Sequence, residues 1–189
     1  RSTLFPYTTL FRSPYRSMDQ NGPVRVLVNN AARDERHTLD GLSPHGWDDS
    51  INTNLRPYFF TAQVAASAMR AGGGSIINLG SNAANLGLAG YPVYVTAKAA
   101  IVGLTKALAR ELGPRGIRVN ALIPGWVMTQ RQQALWAEPQ AVAECLAQQS
   151  LKRTLHGADI AQAALFLASE ASSMMTGQSL IVDGGRAMP

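Results

Sequence analysis

The chain has 189 residues, of which 46% are hydrophobic, and its formal net charge is +5 at pH 7. This apolar fraction excludes an intrinsically disordered chain, and no apolar run approaches the ~20 residues that a membrane-spanning helix needs. Cys145 is the single cysteine, which excludes an internal disulfide and favours a reducing compartment, the cytoplasm. The basic residues are scattered along the chain, so the positive charge does not indicate a nucleic-acid-binding protein.

The first thirteen residues, RSTLFPYTTLFRS, are unlike any class of protein segment. They have no helical or strand period, and they lack the features of a signal peptide. They match one reading frame of a common DNA sequencing-library adapter, so we expect a non-native peptide in preference to a native disordered arm. Without Arg1 and Arg12 the formal charge falls to +3. Residues 14–23 are polar and irregular, and we expect a linker or the stub of a helix there.

The first predicted element is a strand over Val24–Val28, whose β-branched run is typical of a buried parallel strand. Two asparagines and two alanines follow at its carboxyl end, Asn29–Ala32, and they suit a turn where backbone approaches a ligand. The loop 33–37 comes next and is highly charged. It forms either local ion pairs in solvent or polar contacts with a hydroxyl-rich substrate, and the sequence leaves both possibilities open.

A long helix is predicted after this loop, with Ser43 as its N-cap, Pro44 in its first turn and its end at about residue 69. Asn54 lies inside this helix, where a polar amide is ordinarily a hydrogen-bonded core residue. A glycine turn then leads into the second strand, Ser75–Leu79. No helix starts directly after that turn, so the turn is not a phosphate-binding loop.

The most informative stretch follows the second strand. Ser81 comes at the carboxyl end of that strand, and open α/β sheets bind their ligands at this edge. Apolar residues at helical spacing then predict a helix that carries Tyr94 and Lys98, which share one face because they are four residues apart. An ammonium beside a phenol lowers a pKa that is ordinarily about 10. The same spacing also occurs by chance in helices with a surface lysine, so the rest of the chain must decide.

Further elements complete an alternation of strands and helices. The helix after Tyr94 ends at Gly113-Pro114, as the glycine and proline predict. The remaining predictions are a strand over Ile117–Ile123, the segment Pro124–Thr129 at its end, a helix over Gln130–Gln149, a helix over Ala158–Ser169 and a strand over Ser179–Val182. This alternation predicts a doubly wound parallel sheet with helices on both faces.

Taken together, about six of these segments between Val24 and Gly185 resemble motifs of the short-chain dehydrogenase/reductase family, with Ala32 where the family has glycine. The resemblance implies a Rossmann-like doubly wound parallel sheet and hydride transfer between an alcohol or carbonyl and a nicotinamide. It implies a catalytic set without a metal, namely Asn54, Ser81, Tyr94 and Lys98. It implies a cofactor-binding set, namely Asn30, Ala31, Tyr94, Lys98, Pro124, Val127 and Thr129.

The resemblance also implies a role for each catalytic residue. Tyr94 would be the general base in oxidation and the general acid in reduction. Lys98 would lower the pKa of Tyr94 and hold the ribose hydroxyls of the cofactor. Ser81 would donate a hydrogen bond to the reacting oxygen. Asn54 would hold a water molecule that links Lys98 to solvent.

A glycine-rich turn that could bind a pyrophosphate does not occur before Val24. We therefore expect that residues 24–189 form the C-terminal two-thirds of a single domain, and that the first three strands and their helices are missing. The residue that selects between NAD and NADP would lie in the missing part. The resemblance favours NAD, and the truncated chain is expected to be inactive alone.

Within the family, the closest resemblance is to bacterial xylose-type aldose 1-dehydrogenases. The residues that carry it are Asn29-Asn30-Ala31, Asp34, Arg36, His37, Trp47, Ile51, Asn54-Leu55-Arg56, Val127, Thr129, Arg131-Gln132 and Glu144-Cys145-Leu146. The resemblance implies oxidation of a pentose C1 hydroxyl to a lactone. Two alternatives stay open: reduction of a 3-oxoacyl thioester or another ketone, and an inactive fragment. The family also implies a small-molecule substrate and a homotetramer packed through the helices of Asn54 and Tyr94, with neither a nucleic-acid nor a membrane partner.

Overall fold

The computed structural model describes residues 24–69 and 72–188, so the expected non-native peptide (1–13) and the predicted linker (14–23) lie outside the described residues. Four parallel strands form one sheet in the order β1-β2-β3-β4. Their bounds are Val26–Asn29 for β1, Gly74–Leu79 for β2, Ile117–Pro124 for β3 and Ser179–Val182 for β4. The predicted parallel α/β sheet is therefore confirmed.

Seven α-helices accompany the strands within residues 24–69 and 72–188. They are α1 Pro44–Asn54, α2 Arg56–Ala68, α3 Asn82–Leu86, α4 Pro92–Leu112, α5 Gln130–Leu135, α6 Pro139–Gln148 and α7 Gly157–Ala168, with 3₁₀ turns at Gly113–Arg115 and Glu170–Ser172. None of these helices is long and apolar enough to cross a membrane.

Helices cover both faces of the sheet, as two neighbouring residues of β2 show. Ile76 is fully buried in a cluster with Ala65 of α2 and Leu108 of α4. Ile77 is equally buried, but it belongs to a second cluster that contains Leu167 of α7. Successive strand residues point to opposite faces of a sheet. Two buried neighbours therefore require helices on both faces, which is the doubly wound arrangement.

The edge strand β1 is less buried than its sequence predicts. Leu27 packs against the α2–α4 cluster, but Val26 is 40% exposed and Val28 is 47% exposed. The strand itself is confirmed, whereas the predicted burial on both faces is wrong for β1. The reason is that the face of β1 that carries Val26 and Val28 lies open in the described part of the chain.

The helix predicted from Pro44 to about residue 69 is broken at Leu55, which separates α1 from α2 and has φ −126° and ψ −53°. Pro57 causes the break, because it has no N–H to continue the helical hydrogen bonding. The Tyr58 N–H then donates to the Leu55 carbonyl at 3.0 Å, one residue short of the α-helical pattern. The break lies directly beside Asn54.

The helix predicted over residues 130–149 is likewise two helices, α5 and α6. Pro139 begins α6, and Glu138 before it is extended, with ψ 147°. A residue that precedes proline is driven out of the helical region by a clash with the proline ring. The short α5 therefore ends at Leu135 and is followed by a turn at Trp136.

Candidate active site

The carboxyl ends of β1 and β2 are joined by buried side-chain hydrogen bonds. The Asn29 amide donates to the Asn78 Oδ1 at 2.9 Å and accepts from the Thr61 hydroxyl at 2.7 Å. The Asn78 amide in turn donates to the Thr105 hydroxyl of α4 at 3.1 Å. Each amide thus has partners on both sides, which makes the network rigid. It fixes α4 against the strand ends.

Ser81 and Tyr94 meet at this edge of the sheet. Ser81 caps α3, because its hydroxyl accepts from the Ala83 N–H at 3.2 Å. The side chains of Ser81 and Tyr94 are close enough for hydrogen bonding to lower the pKa of Tyr94, and both residues are half-buried. The two side chains therefore lie on the same side of the sheet, close enough to contact one small molecule.

Lys98 lies one helical turn after Tyr94 and is almost completely buried, with 2% of its surface exposed. Its ammonium donates to the Leu79 carbonyl at 2.8 Å and to the Tyr58 hydroxyl at 3.1 Å. The Nζ atom is 5.6 Å from the centre of the Tyr94 ring. The structure therefore brings Ser81, Tyr94 and Lys98 together in one cluster of side chains, which we call the pocket.

Burial dominates the acid–base properties of this pocket. It lowers the pKa of Lys98 from 10.5 to about 8, because a buried ammonium loses its hydration. Burial also raises the pKa of Tyr94 from 10.0 to about 12, although the hydrogen bond with Ser81 acts in the opposite direction. Burial likewise raises the pKa of Tyr58 above its ordinary value.

Burial outweighs any lowering of the Tyr94 pKa by Lys98 in this structure, so the expected effect of Lys98 on that pKa stays a prediction. The Lys98 ammonium is directed to the Leu79 carbonyl and the Tyr58 hydroxyl.

Asn54 has a different set of partners from the one expected. Its side chain is 1% exposed, and its Oδ1 accepts from the Arg33 N–H at 2.8 Å. Its Nδ2 donates to the Arg33 carbonyl at 3.0 Å and to the Ser50 hydroxyl at 3.2 Å. The amide thus holds the loop after β1 in place, and the structure does not join this side chain to Lys98.

Tyr58 is a member of the pocket that the sequence analysis missed. Its hydroxyl donates to the Leu79 carbonyl at 3.1 Å and accepts from the Lys98 ammonium at 3.1 Å. The residue is 1% exposed. The only signal in the sequence is a tyrosine in an otherwise apolar helical stretch. Nothing local predicts its contact with a lysine forty residues later.

The residues expected to hold a cofactor lie along the same edge. Asn30 and Ala31 are exposed just beyond β1, and Pro124 ends β3. Val127 pairs with Leu155 in an isolated bridge. Thr129 caps α5 by accepting from the Gln132 N–H at 3.2 Å. These residues follow two different strands, as the doubly wound fold requires of a ligand site at this edge.

The donor set of this edge fits a nicotinamide ribose. Lys98 has three N–H donors, and two of them are engaged with Leu79 and Tyr58. The third can meet a ribose hydroxyl. The Thr129 hydroxyl accepts from a backbone N–H, which leaves its own proton to donate to a ligand.

A second group of side chains lies around the loop 33–37, and we call it the mouth of the site: Asp34, Arg36, His37, Tyr91, Arg131 and Trp136. Asp34 accepts from Arg131 at 2.6 Å and from the Gln132 amide at 3.0 Å. The Arg36 guanidinium carbon is 3.9 Å from the centre of the Tyr91 ring and 4.8 Å from that of Trp136. These contacts join the loop after β1 to α5 and the turn that follows it.

The ion-pair interpretation of the charged loop holds for Arg33, whereas contact of the loop with a hydroxyl-rich substrate stays a prediction. Arg33 forms ion pairs with Glu35 at 3.1 Å and with Asp49, as a solvated loop would. Asp34 and Arg36 are close enough to Tyr94 to act on its pKa, which Asp34 raises and Arg36 lowers. The charged loop thus contributes two residues to the surroundings of the pocket.

Comparisons with known proteins agree with this geometry. The family model described as Enoyl-(Acyl carrier protein) reductase matches residues 15–187. The chain is 50% identical over 165 residues to "Probable galactose dehydrogenase GalD" of Rhizobium meliloti (strain 1021), with 87% of this chain and 64% of the relative covered. It is 46% identical over 165 residues to the D-xylose 1-dehydrogenase of Caulobacter vibrioides, with 87% and 66% covered.

A further relative and a solved structure extend the comparison. The 3-oxoacyl-(acyl-carrier-protein) reductase FabG of Chlamydia pneumoniae is 41% identical over 169 residues, with 89% of this chain and 67% of the relative covered. The crystal structure of a gluconate 5-dehydrogenase from Burkholderia cenocepacia J2315 in complex with NADP and tartrate superposes with a TM-score of 0.89 at 32% identity, and covers 95% of this chain and 71% of that one.

The chain therefore belongs to the short-chain dehydrogenase/reductase family, as its motifs predicted. It spans 64% and 66% of the length of the galactose and xylose dehydrogenases it matches.

Proposed function

We propose that the whole protein to which this chain belongs oxidises the C1 hydroxyl of an aldose to a lactone, with NAD or NADP as hydride acceptor and NAD favoured. The observation that carries the proposal is the single pocket shared by Ser81, Tyr94 and Lys98. The galactose and xylose dehydrogenases among the relatives support the substrate class. The proposal concerns the complete enzyme, because this chain covers only part of their length.

In this mechanism the nicotinamide, when bound, accepts the hydride from C1. The Ser81 hydroxyl donates a hydrogen bond to the C1 oxygen and stabilises charge that develops there. Tyr94 takes the hydroxyl proton as general base, and the C1–O bond becomes the lactone carbonyl. The Lys98 ammonium, one turn away on α4, holds a ribose hydroxyl with its third N–H.

The protonation states of the pocket set the pH dependence of this reaction. With a pKa of about 12, Tyr94 is mostly protonated at neutral pH, so only its small phenolate fraction acts as the base in oxidation. The fraction of phenolate grows as the pH rises towards that pKa. We therefore expect kcat/KM for sugar oxidation to increase between pH 6 and pH 8, below which Lys98 keeps its charge, and a profile that falls over this range would contradict the role of Tyr94.

We propose that Asn54 takes part in the proton path through its backbone. Its side chain is engaged with Arg33 and Ser50. The Tyr58 N–H donates to the Leu55 carbonyl, so the Asn54 carbonyl does not receive its usual helical donor in the described part of the chain. A water molecule on that carbonyl would provide a path for the proton from the Lys98 region to solvent.

A substrate panel tests the proposal. The purified whole protein is assayed with D-xylose and D-galactose in the presence of NAD or NADP, and with a 3-oxoacyl thioester in the presence of NADH or NADPH. We expect oxidation of at least one aldose with the larger kcat/KM, and a preference for NAD. Reduction of the thioester without any aldose oxidation would favour the reductase alternative, which the FabG relative supports.

The inactive-fragment alternative concerns the 189-residue chain itself. A titration of this chain with NAD, followed by nicotinamide or tryptophan fluorescence, separates the two cases. We expect weak or undetectable binding, because the glycine-rich turn expected to bind the pyrophosphate is not in this sequence. Micromolar affinity would contradict the expectation.

We further propose that the whole enzyme is a cytoplasmic homotetramer packed through α1, α2 and α4. The outward face of α4 carries the small exposed residues Ala99, Ala100 and Gly103, and Phe59 of α2 is 45% exposed. Small residues allow helices to approach closely, and an exposed aromatic ring favours association. Light scattering of the purified enzyme measures the assembly, and a monomeric mass would contradict it.

A further inference from the structure

Two buried nitrogen atoms have no hydrogen-bond partner among the described residues: the Nε2 of His37 and the Nε1 of Trp136. More than nine in ten buried polar groups in native proteins have a partner. An unsatisfied buried donor or acceptor costs stability, because it has lost its water without replacement. Such a group beside a candidate active site therefore points to a ligand that would satisfy it.

Both atoms lie in the mouth of the site, on either side of Arg36. His37 follows Arg36 in the chain, and its N–H donates to the Gly90 carbonyl at 2.8 Å. Trp136 lies beside the Arg36 guanidinium, which also contacts Tyr91. The Tyr91 ring is 5.4 Å from the ring of Tyr94. The two residues thus belong to the wall beside the proposed general base.

The two nitrogen atoms have opposite hydrogen-bonding character. The Trp136 indole nitrogen can only donate. The Nδ1 of His37 is 3.1 Å from the Thr38 carbonyl, and a contact with a carbonyl requires the proton on Nδ1, so the Nε2 of the neutral ring is an acceptor. A hydroxyl group can accept from the indole and donate to the imidazole. A ketone or a thioester carbonyl can only accept.

We propose that His37 and Trp136 form a hydroxyl-binding subsite for the sugar, in which Trp136 donates to one hydroxyl and His37 accepts from the same or an adjacent hydroxyl. The proposal rests on the proposed function and names the residues that select a polyhydroxylated substrate. Arg36 fixes the plane of the indole by contact with its ring. The ion pair of Asp34 with Arg131 keeps the turn of Trp136 close to the loop of His37.

The chain offers a matched control for the indole. The Nε1 of Trp126 donates to the Gln132 Oε1 at 2.8 Å, whereas the Nε1 of Trp136 has no partner. Trp126→Phe and Trp136→Phe each remove one indole N–H and keep an aromatic ring. Without substrate, we expect Trp126→Phe to lower the melting temperature and Trp136→Phe to leave it unchanged or to raise it. A drop for Trp136→Phe as large as that for Trp126→Phe would overturn the claim that its donor is unsatisfied.

Deoxy sugars test the subsite in the whole enzyme. The reference substrate is whichever of D-xylose and D-galactose has the larger kcat/KM. The measured quantity is the kcat/KM of this sugar divided by the kcat/KM of its 2-, 3- or 4-deoxy analogue. We expect wild type to discriminate by about ten-fold or more at one position, the value of a good hydrogen bond. Trp136→Phe and His37→Phe should each bring that ratio to within about two-fold of unity, whereas Trp126→Phe should keep it.

The outcomes separate the two proposals. If wild type oxidises an aldose and either Trp136→Phe or His37→Phe keeps the full discrimination at every position, the paired subsite is wrong and the sugar dehydrogenase stands. If wild type oxidises no aldose, the proposed function fails and the sugar subsite fails with it. Loss of the ratio in both variants, with the Trp126→Phe control intact, supports the subsite.

Discussion

The floor of the site, formed by Tyr58, Ser81, Tyr94 and Lys98, contrasts with its mouth in how its polar groups are satisfied. In the floor, Lys98 donates to a carbonyl and to a hydroxyl, and Tyr94 is paired with Ser81. In the mouth, His37 and Trp136 each keep a buried nitrogen without a partner in the described residues. The floor is carried by β2, α2 and α4, whereas much of the mouth is carried by loops.

This difference indicates that the floor carries out proton transfer and that the mouth selects the substrate. Groups that carry out proton transfer must be held within a narrow geometry before the substrate arrives, and the floor achieves this with protein partners alone. Groups that select a substrate discriminate most strongly when the ligand provides their missing hydrogen-bond partner. An analogue without that hydrogen-bonding group leaves them unpaired. Each of the following changes tests one side of this comparison.

Among the changes at Ser81, Lys98, Asn78 and Arg131, removal of the Ser81 hydroxyl should have the largest effect. Ser81→Ala removes a donor to the reacting oxygen, and we expect kcat for sugar oxidation by the whole enzyme to fall by about 10²–10³-fold. Ser81 also caps α3, so some loss of stability is expected. Ser43→Ala is the control, because Ser43 caps α1 in the same way and lies outside the floor. An equal loss of kcat in both variants would contradict the role of Ser81.

Burial of Lys98 should lower the free energy of unfolding by an amount that depends on pH. Its pKa is about 8 when folded and 10.5 as the reference value, so the unfolded chain binds more protons between these pH values. The stability of wild type relative to Lys98→Met should therefore be lowest below pH 8 and should rise by about 3 kcal/mol as the pH increases to about 10.5. Urea unfolding at pH 7 and pH 10 measures the difference. No change between the two would refute the burial of a charged Lys98.

The amide network beneath the floor should contribute a smaller amount. Asn78→Ala removes the acceptor of the 2.9 Å bond from Asn29 and the donor of the 3.1 Å bond to the Thr105 hydroxyl, and we expect the free energy of unfolding to fall by about 2 kcal/mol. Asn85→Ala on α3 changes an exposed asparagine and should cost less than about 0.5 kcal/mol. Equal effects in the two variants would show that the network does not stabilise the strand ends.

The ion pair of the mouth should have the smallest effect. Arg131 and Asp34 have side chains that are 48% and 16% exposed, so Arg131→Gln should raise KM for the sugar by less than about five-fold. The increase should shrink further in high salt, which screens exposed charges. Arg153→Gln breaks another exposed pair, that with Asp159, and should not change KM. A KM effect that is independent of salt would argue against an electrostatic role.

Most residues of the floor could be predicted from the sequence, because their positions follow from the periodicity of one helix and one strand. Tyr94 and Lys98 are one helical turn apart, and Ser81 ends a buried strand, so local patterns alone place them at one edge of a parallel sheet. The break at Leu55 was not predicted, although Pro57 indicates it. The division of the second long helix at Pro139 was not predicted either. These two errors arose from weighing apolar periodicity above the missing proline N–H.

The partners of Asn54 and Lys98 could not be predicted in this way. Asn54 is bonded to Arg33, and Lys98 to Tyr58, across 21 and 40 residues of sequence. Such contacts depend on how α1, α2 and α4 pack, and no local spacing encodes that packing. The net rise of the Tyr94 pKa could not be predicted for the same reason. It depends on burial and on the direction of the Lys98 ammonium, and both are tertiary properties.

The most direct test of the account is Tyr94→Phe in the whole enzyme, with two measurements on the same preparation. The phenol is the proposed proton acceptor, so we expect kcat for aldose oxidation to fall by about 10²–10⁴-fold, while the Kd for NAD, measured by fluorescence titration, stays within about two-fold. Turnover within a few-fold of wild type would contradict the central role of Tyr94.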